Sequence, residues 1–427
     1  MVFTISLNGA DNVGKTTQLE LLPSHFTISK VGSLHTNDET IAEMHRQGSL
    51  KEWWWGSTPV EFVTVIFGAL ARRYRNATAG KNGDVVIFDR GVSMFEAVAV
   101  AVIAMKNEDE DLVNARGVLD GILDKHGLRL PPENLAILMT HGNTVEESVR
   151  ITMSREDNPD DERYNRYQRL LQSELQRQEL RGTYQNTVHI AVTDNIRCVQ
   201  DQLREILLEK TGNSLFQPTM HHLVGIYAFG GLSECGKSTI AEAYCANFGS
   251  RRAFRSKIAY FYNTISEALG LSVYGTSEKE QALHLFHELE RFQRSHYWLR
   301  LLTIESLHRD SVTKYLKLWL DEKFQVVFID TSESQRRERS LVPLEQLTGN
   351  DETKLQRGAM NIRSYADLVL DNNGPLSKSV SRLLSFSERR GLVPEHASGS
   401  GTIAVKDEEE VNNTGDNVKV SGVLVVD

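Results

Sequence analysis

Cysteine is scarce: three in 427 residues, Cys198, Cys235 and Cys245, and no pair stands at metal-ligand spacing. That excludes a disulfide framework and a cysteine metal centre, and a reducing cytoplasm is the expected location. No run of about 18 apolar residues occurs, so no membrane span is expected. No basic stretch precedes the first apolar run, so no secretory leader is expected either. Positive charge is in the minority, with 48 Lys and Arg against 57 Asp and Glu and a net charge of −9. A general nucleic-acid binder is thereby disfavoured; nucleotide binding needs only a local positive site. What remains is 40% hydrophobic and 25% charged residues, ordinary for a globular protein, at a length that suits two domains.

Against that background one stretch stands out. Gly9-Ala10-Asp11-Asn12-Val13-Gly14-Lys15-Thr16 fits the phosphate-binding loop G-x-x-x-x-G-K-[ST]. Phe3 to Leu7 before it reads as a buried strand, and Thr17 to Leu22 after it opens a helix. The glycines let the backbone wrap an anion with its N–H groups turned inward. Lys15 is expected to reach the β- and γ-phosphates of ATP, and the Thr16 hydroxyl to hold Mg²⁺.

Further along, Gly83 to Gly91 reads as a turn and a short β-branched strand that ends in Asp89-Arg90. Ligands of doubly wound sheets bind at that end of a strand. Asp89 is expected to help position Mg²⁺ and its waters, and Arg90 to hold a phosphate through a forked contact. Thr58 to Arg75 reads as a helix, and Trp53-Trp54-Trp55 before it as either a packed cluster or a wall of the acceptor pocket. Leu135 to Met139 is a third strand. A helix carrying Arg150 and Arg155 follows, then the polar segment Glu156 to Tyr164. This segment reads either as a mobile lid over the transferring phosphoryl group or as a solvated helix end. Val188 to Val192 is a late strand and Ile196 to Leu208 a closing helix.

The second half repeats the plan. Thr211 to His222 reads as a linker. Leu223 to Ala228 is a strand, and Gly231-Leu232-Ser233-Glu234-Cys235-Gly236-Lys237-Ser238 is a second full loop that runs into Thr239 and its helix. Leu301 to Arg309 occupies the place of the strand that ends in Asp89-Arg90, with Glu305 as the acid and Arg309 as the arginine. Gln325 to Asp330, the basic run Arg336 to Arg339 and Ala366 to Asn372 complete the order. Arg252, Arg255, Lys257, Tyr260, Tyr262 and Trp298 are candidates for an acceptor pocket. His221-His222 reads as solvated linker. From about Ala397 the chain reads as a flexible acidic tail, with some β character from Val418 to Val426.

Residues 1–210 resemble the thymidylate kinase family of P-loop nucleoside monophosphate kinases. Gly9, Asp11, Gly14, Lys15, Thr16 and Thr17 match its G-x-D-x-x-G-K-T-T loop, Asp89-Arg90 its D-R pair, and Arg155 with Glu162-Arg163-Tyr164 its lid. The resemblance implies that Asp11 meets the acceptor's sugar hydroxyl and Arg90 the acceptor's phosphate. It also implies that Phe67 and Arg72, a stretched version of the family's F-x-x-x-R with the two residues five apart, face the base. The R-E-P-G-G-T segment of that family is replaced by His35 to Thr40. Residues 222–388 resemble the dephospho-CoA kinase and adenylate-type branch, through the second loop, the basic helix after Asp330 and A-D-x-V-L-D-N-x-G ending at Gly374.

The expected architecture is therefore α/β, two tandem P-loop NTPase domains, each a doubly wound parallel sheet: 1–212, a linker 213–222, a second domain 223–392 and a tail 393–427. Lys15, Asp89, Arg90 and Arg155 are the expected catalytic group. Gly9, Asp11, Asn12, Gly14, Lys15, Thr16, Thr17, Gly231, Gly236, Lys237, Ser238 and Thr239 are expected around nucleotide. Asp11, Phe67, Arg72 and Arg90 are expected at the acceptor, and Thr16, Asp89 and Ser238 at Mg²⁺. The cofactors are ATP and Mg²⁺, and the reaction dTMP + ATP to dTDP + ADP. The second half is another kinase, for a metabolite such as dephospho-CoA, or a nucleotide-binding regulator. A small nucleotide acceptor is the expected partner, without membrane or nucleic acid, and a homodimer is left open.

Overall fold

The computed structural model describes residues 2–108, 110–156, 158, 161–180, 186–218, 220, 223–249 and 251–394. His221-His222, Asp157, Pro159 and Asp160 of the lid segment, and the acidic tail from 395 on lie outside the described residues.

Among the described residues, ten strands form two five-stranded parallel sheets. The first contains β1 (Phe3–Gly9), β2 (Ile28–Val31), β3 (Val85–Asp89), β4 (Leu135–His141) and β5 (Thr187–Val192), in the order β2-β3-β1-β4-β5. The second contains β6 (Gly225–Gly230), β7 (Ala253–Lys257), β8 (Leu301–Leu307), β9 (Phe324–Asp330) and β10 (Leu368–Asp371), in the order β10-β9-β6-β8-β7. Matched from the loop-bearing strands β1 and β6 outward, the two orders are the same. In the first sheet Leu7 pairs with Asp89 and Gly9 with Met139, so the first loop leaves the sheet between two neighbouring strand ends. The strands are buried on both faces, as in sheets covered by helices on each side: Ile5, Leu7, Ile87 and Ile137 lie on one face, Thr4, Ser6, Val86 and Leu138 on the other.

The helix Val92–Lys106 has 13 of its 15 residues buried. It is apolar all round, as a helix enclosed by others must be. It packs on the helices Leu112–Lys125 and Glu162–Leu180. Each Val, Ile or Phe it buries contributes about 1.5–3 kcal/mol. Its start lies two residues past Arg90, so this burial also fixes the turn that carries Asp89-Arg90.

Packing divides the chain into two compact units. One is Met1–Ile226, Lys257–Arg300 and Arg309–Gln325; the other is Tyr227–Ser256, Leu301–His308 and the chain from Val326 on. Three helices of the second half, Ile258–Leu269, Glu278–Ser295 and Asp310–Leu320, therefore group with the first loop rather than the second. Ion pairs accompany this grouping. Arg204 forks onto Glu290, Nη2 to Oε2 at 3.2 Å, with both side chains buried. Lys279 meets Glu20 at 2.8 Å. The expected linker is also packed: Ser214–Phe216 forms a 3-10 turn, and Phe216 is fully buried in the core of the first sheet.

Candidate active site

The first loop closes tightly. Gly9 has φ 133°, and a Cβ there would come within 2.0 Å of the Met139 carbonyl oxygen, so only glycine lets β1 and β4 approach this closely. Gly14, at φ 92°, is the left-handed N-cap of the helix Lys15–Leu21, which carries Lys15, Thr16 and Thr17. Lys15 Nζ donates to the Gly9 carbonyl at 2.9 Å and to the Ala10 carbonyl. Burial first, and the Arg90 charge second, lower the Lys15 pKa to about 7. Phosphate oxygens on the loop would supply the negative charge that keeps this ammonium protonated.

Two strand ends complete the centre. Thr16 Oγ1 donates to Asp89 Oδ2 at 2.7 Å. A hydroxyl and a carboxylate held this way are hard oxygen donors and fit Mg²⁺, which takes few protein ligands and keeps phosphate and water oxygens. Among the described residues no cluster of three or more His, Cys, Asp or Glu stands ready for a metal. Arg90 adopts φ 63°, a left-handed conformation that a bulky residue rarely takes. Its Nη2 meets Asp11 Oδ1 at 3.0 Å and its Nη1 meets Asp89 Oδ1 at 3.2 Å. Asp11 Oδ2 accepts from Tyr164 OH at 2.9 Å and from Gln168 Nε2 at 2.8 Å. Burial works against the Asp11 charge, but Lys15 and Arg90 outweigh it and hold the carboxyl below the usual carboxylate range.

Arg155, just past the helix Val145–Met153, reaches the loop. Its Nη1 donates to the Asn12 carbonyl at 2.9 Å and lies 3.1 Å from His141 Nε2, while Asp194 stands 3.4 Å from its Nη2. Asn12 in turn donates to Glu156.

Beside this cluster opens a cavity of about 890 Å³. Asp11 and Arg90 line its loop side; Trp54, Trp55, Phe95, Tyr164 and Tyr167 are its aromatic walls, and Lys51 and Arg163 add positive charge. Trp55 packs edge-on to Tyr167, and the Arg163 guanidinium lies 4.6 Å from the centre of the Trp55 ring. Two of the three tryptophans thus face the cavity. Trp53 instead donates from Nε1 to Glu61 Oε1 at 3.1 Å.

Two expected acceptor residues are placed elsewhere. Phe67, on the helix Pro59–Thr78, is 3% exposed and belongs to the core. Arg72 spends its guanidinium on Asp38, Nε to Oδ2 at 2.8 Å. Neither lines the cavity. An apolar face at helical spacing marks Phe67 as buried without saying against what, and core packing took it. The neighbouring Arg73 had no sequence signal and is the structurally important arginine. Fully buried, it donates to the carbonyls of Gly32 (3.0 Å), Asp89 (3.1 Å) and Arg90, and so props the left-handed Arg90 from behind. Glu133 supports the same turn by accepting from the Val92 N–H at the start of the buried helix.

The second loop reproduces the first in its backbone. Gly231, Glu234 and Gly236 have φ of 131°, 55° and 92°, against 133°, 58° and 92° at Gly9, Asn12 and Gly14. Lys237 Nζ donates to the carbonyls of Gly231 (3.1 Å) and Leu232, and Ser238 Oγ donates to Glu305 Oε2 as Thr16 does to Asp89. Thr239 follows on the helix Lys237–Cys245. The residue after the acid repeats its left-handed turn, with φ 65° at Ser306 against 63° at Arg90. The counterpart of Arg90 is therefore Ser306 and not Arg309, which pairs with Glu278 at 3.2 Å. Of the acceptor candidates in this half, Arg255 is brought to the loop helix, 3.2 Å from the Ser238 carbonyl and 3.5 Å from Glu305. Tyr262 is buried, and Tyr260 and Trp298 are half exposed.

No family model and no curated protein matches the chain. Solved structures do. A deoxyadenosine kinase from M. mycoides with bound dCTP is 10% identical over 48% of this chain and 100% of its own, with a TM-score of 0.34. A thymidylate kinase from Ehrlichia chaffeensis is 14% identical over 48% and 98%, with a TM-score of 0.33. A thymidylate kinase from Candida albicans is 18% identical over 49% and 93%, with a TM-score of 0.35. The assignment of two P-loop α/β folds rests on the strand order and loop geometry of each half. No helix of the described residues is long and apolar enough to cross a membrane.

Proposed function

We propose that the first P-loop site transfers the γ-phosphoryl group of ATP to a nucleoside monophosphate, with dTMP the preferred acceptor. One observation carries this reading. Arg90, forked between Asp11 and Asp89, joins the phosphate loop to a cavity walled by aromatic side chains. A phosphate-binding end thus adjoins a base-stacking end, as a nucleotide requires.

The mechanism follows from these groups. Loop amides and Lys15 hold the β- and γ-phosphates. Thr16 and Asp89 would hold Mg²⁺, which neutralises charge between those phosphates when bound. Arg90 turns its fork to the acceptor phosphate, and the acceptor oxygen attacks the γ-phosphorus in line. The bond to the β-bridging oxygen breaks and ADP leaves. The acceptor oxygen is already ionised near neutral pH, so no general base is required. Arg155 stands over the loop where the moving charge passes. Tyr164 and Gln168 fix Asp11 against the acceptor sugar.

The test is ADP release from ATP and Mg²⁺ with dTMP, dUMP, dCMP, AMP, dephospho-CoA, thymidine and deoxyadenosine in separate reactions. The reading predicts the largest stimulation with dTMP and none with the two nucleosides, which lack the phosphate for Arg90. If no monophosphate stimulates release, the reading fails and a nucleotide-binding regulator takes its place.

A further inference from the structure

Of the differences between the two loops, the one at the third position has chemical content. Ser233 stands where Asp11 stands in the first loop. Its backbone N–H donates to Asp351 Oδ1 at 2.8 Å. Asp351 lies on the helix Leu344–Gln356, 118 residues away in sequence. Its other oxygen accepts from Arg336 Nη1, which also donates to the Ser233 carbonyl at 3.0 Å. Lys354, one helical turn on from Asp351, donates to Ser233 Oγ at 2.9 Å. A carboxylate, a guanidinium and an ammonium therefore converge on a single loop residue.

Three further facts mark this as a built anion site rather than a surface pair. Arg336 is 6% exposed, and its Nε is a buried donor with no hydrogen-bond partner. Nearby Lys237 and Lys354 add two more positive charges, and burial followed by the Lys237 charge lowers the Lys354 pKa to about 8. The loop keeps the left-handed glycines and the Ser238–Glu305 pair of a nucleotide site.

We propose that the second loop binds a nucleoside triphosphate and that Asp351 is an internal anion occupying the terminal-phosphate edge of that site. Asp351 brings to the Ser233 amide the same charge and the same acceptor that a phosphate oxygen would bring, so the two exclude each other. A triphosphate displaces the carboxylate, and Arg336 and Lys354 pass from Asp351 to the terminal phosphate. Both residues sit on the segments that follow β9, so exchange of partner moves the helix Leu344–Gln356. Ser306 in place of Arg90 leaves this site without the arginine that serves the first site's acceptor. The second site therefore holds nucleotide and reports it.

The test is equilibrium binding of ATP and of ADP to the full chain carrying Lys15→Ala, which silences the first loop, with and without Asp351→Asn. Asparagine keeps an acceptor for the Ser233 amide and removes the charge; Asp351→Ala serves as a second variant, and thermal melting shows that each is folded. Relief of one charge clash is expected to tighten ATP binding about tenfold and ADP binding less. Adding Lys237→Ala is expected to abolish the signal, which assigns it to this loop. Unchanged or weaker ATP binding in the Asp351 variants, an equal gain for ADP, or a signal that survives Lys237→Ala would overturn the proposal. Because the first loop is silenced throughout, these outcomes are independent of dTMP transfer.

Discussion

The two P-loops share a backbone and differ in what faces them. Their glycines and their left-handed fourth positions, Asn12 and Glu234, coincide within a few degrees of φ, and each loop has a hydroxyl–carboxylate pair. At the acceptor edge they part. The first loop presents Asp11, bound by Arg90, Tyr164 and Gln168, to a cavity of about 890 Å³. The second presents Ser233, bound by Asp351, Arg336 and Lys354. The loop motif specifies where a phosphate chain is held. In the proposed reading, the residue two places past its first glycine and the residue after the strand-end acid decide whether a phosphoryl acceptor is held.

That comparison can be broken most sharply at Arg90. Arg90→Ala is expected to lower transfer to dTMP about 10³-fold in steady-state kinetics, because it removes both the acceptor clamp and the Asp11 partner. Arg90→Lys is expected to recover little, since an ammonium cannot fork between two carboxylates. A wild-type rate in Arg90→Ala would place the acceptor elsewhere. The next effect concerns the cavity wall. Trp55→Ala is expected to raise the KM for dTMP about tenfold with kcat little changed, as befits a stacking surface. A fall in kcat at constant KM would instead tie Trp55 to the lid.

The smallest effect is on stability. Burial pushes the Glu133 and Glu96 carboxyls up to about 7. Unfolded, both titrate near their ordinary value of 4.5. Between those limits the folded chain holds more protons than the unfolded one, so stability falls as pH rises from about 4.5 to past 7. Glu133→Gln keeps an acceptor for the Val92 amide and removes one of the two titrations. A melting temperature at pH 8 higher by about 2–4 °C, with a shallower pH slope, is expected by calorimetry. An unchanged slope would show that Glu133 is ionised in the fold without cost.

Much of this was legible in the sequence, for local reasons. Both loops, the strand-end Asp89-Arg90 and the central strands are written in short contiguous runs whose spacing matches their geometry. Of the four edge strands, β5 and β10 keep a legible apolar run, whereas β2 (ISKV) and β7 (AFRSK) carry charged residues at positions that are not fully buried and have no such run. The cavity was legible only in part. Trp54, Phe95 and Tyr167 come from three separate helices, and no local pattern joins them. Arg72 and Arg73 differ by one position and so by about 100° around their helix, which sends one to Asp38 and the other beneath Arg90. Asp351 sits 118 residues from the amide it meets, a distance at which sequence pattern carries no signal.

In the proposed reading the first loop transfers and the second holds. Transfer from ATP to dTMP, measured side by side in the full chain with Lys15→Ala and with Lys237→Ala, tests it most directly. Lys15→Ala is expected to lower transfer by about 10³-fold or more, and Lys237→Ala by less than about tenfold. The reverse pattern, with transfer lost in Lys237→Ala and kept in Lys15→Ala, would contradict it.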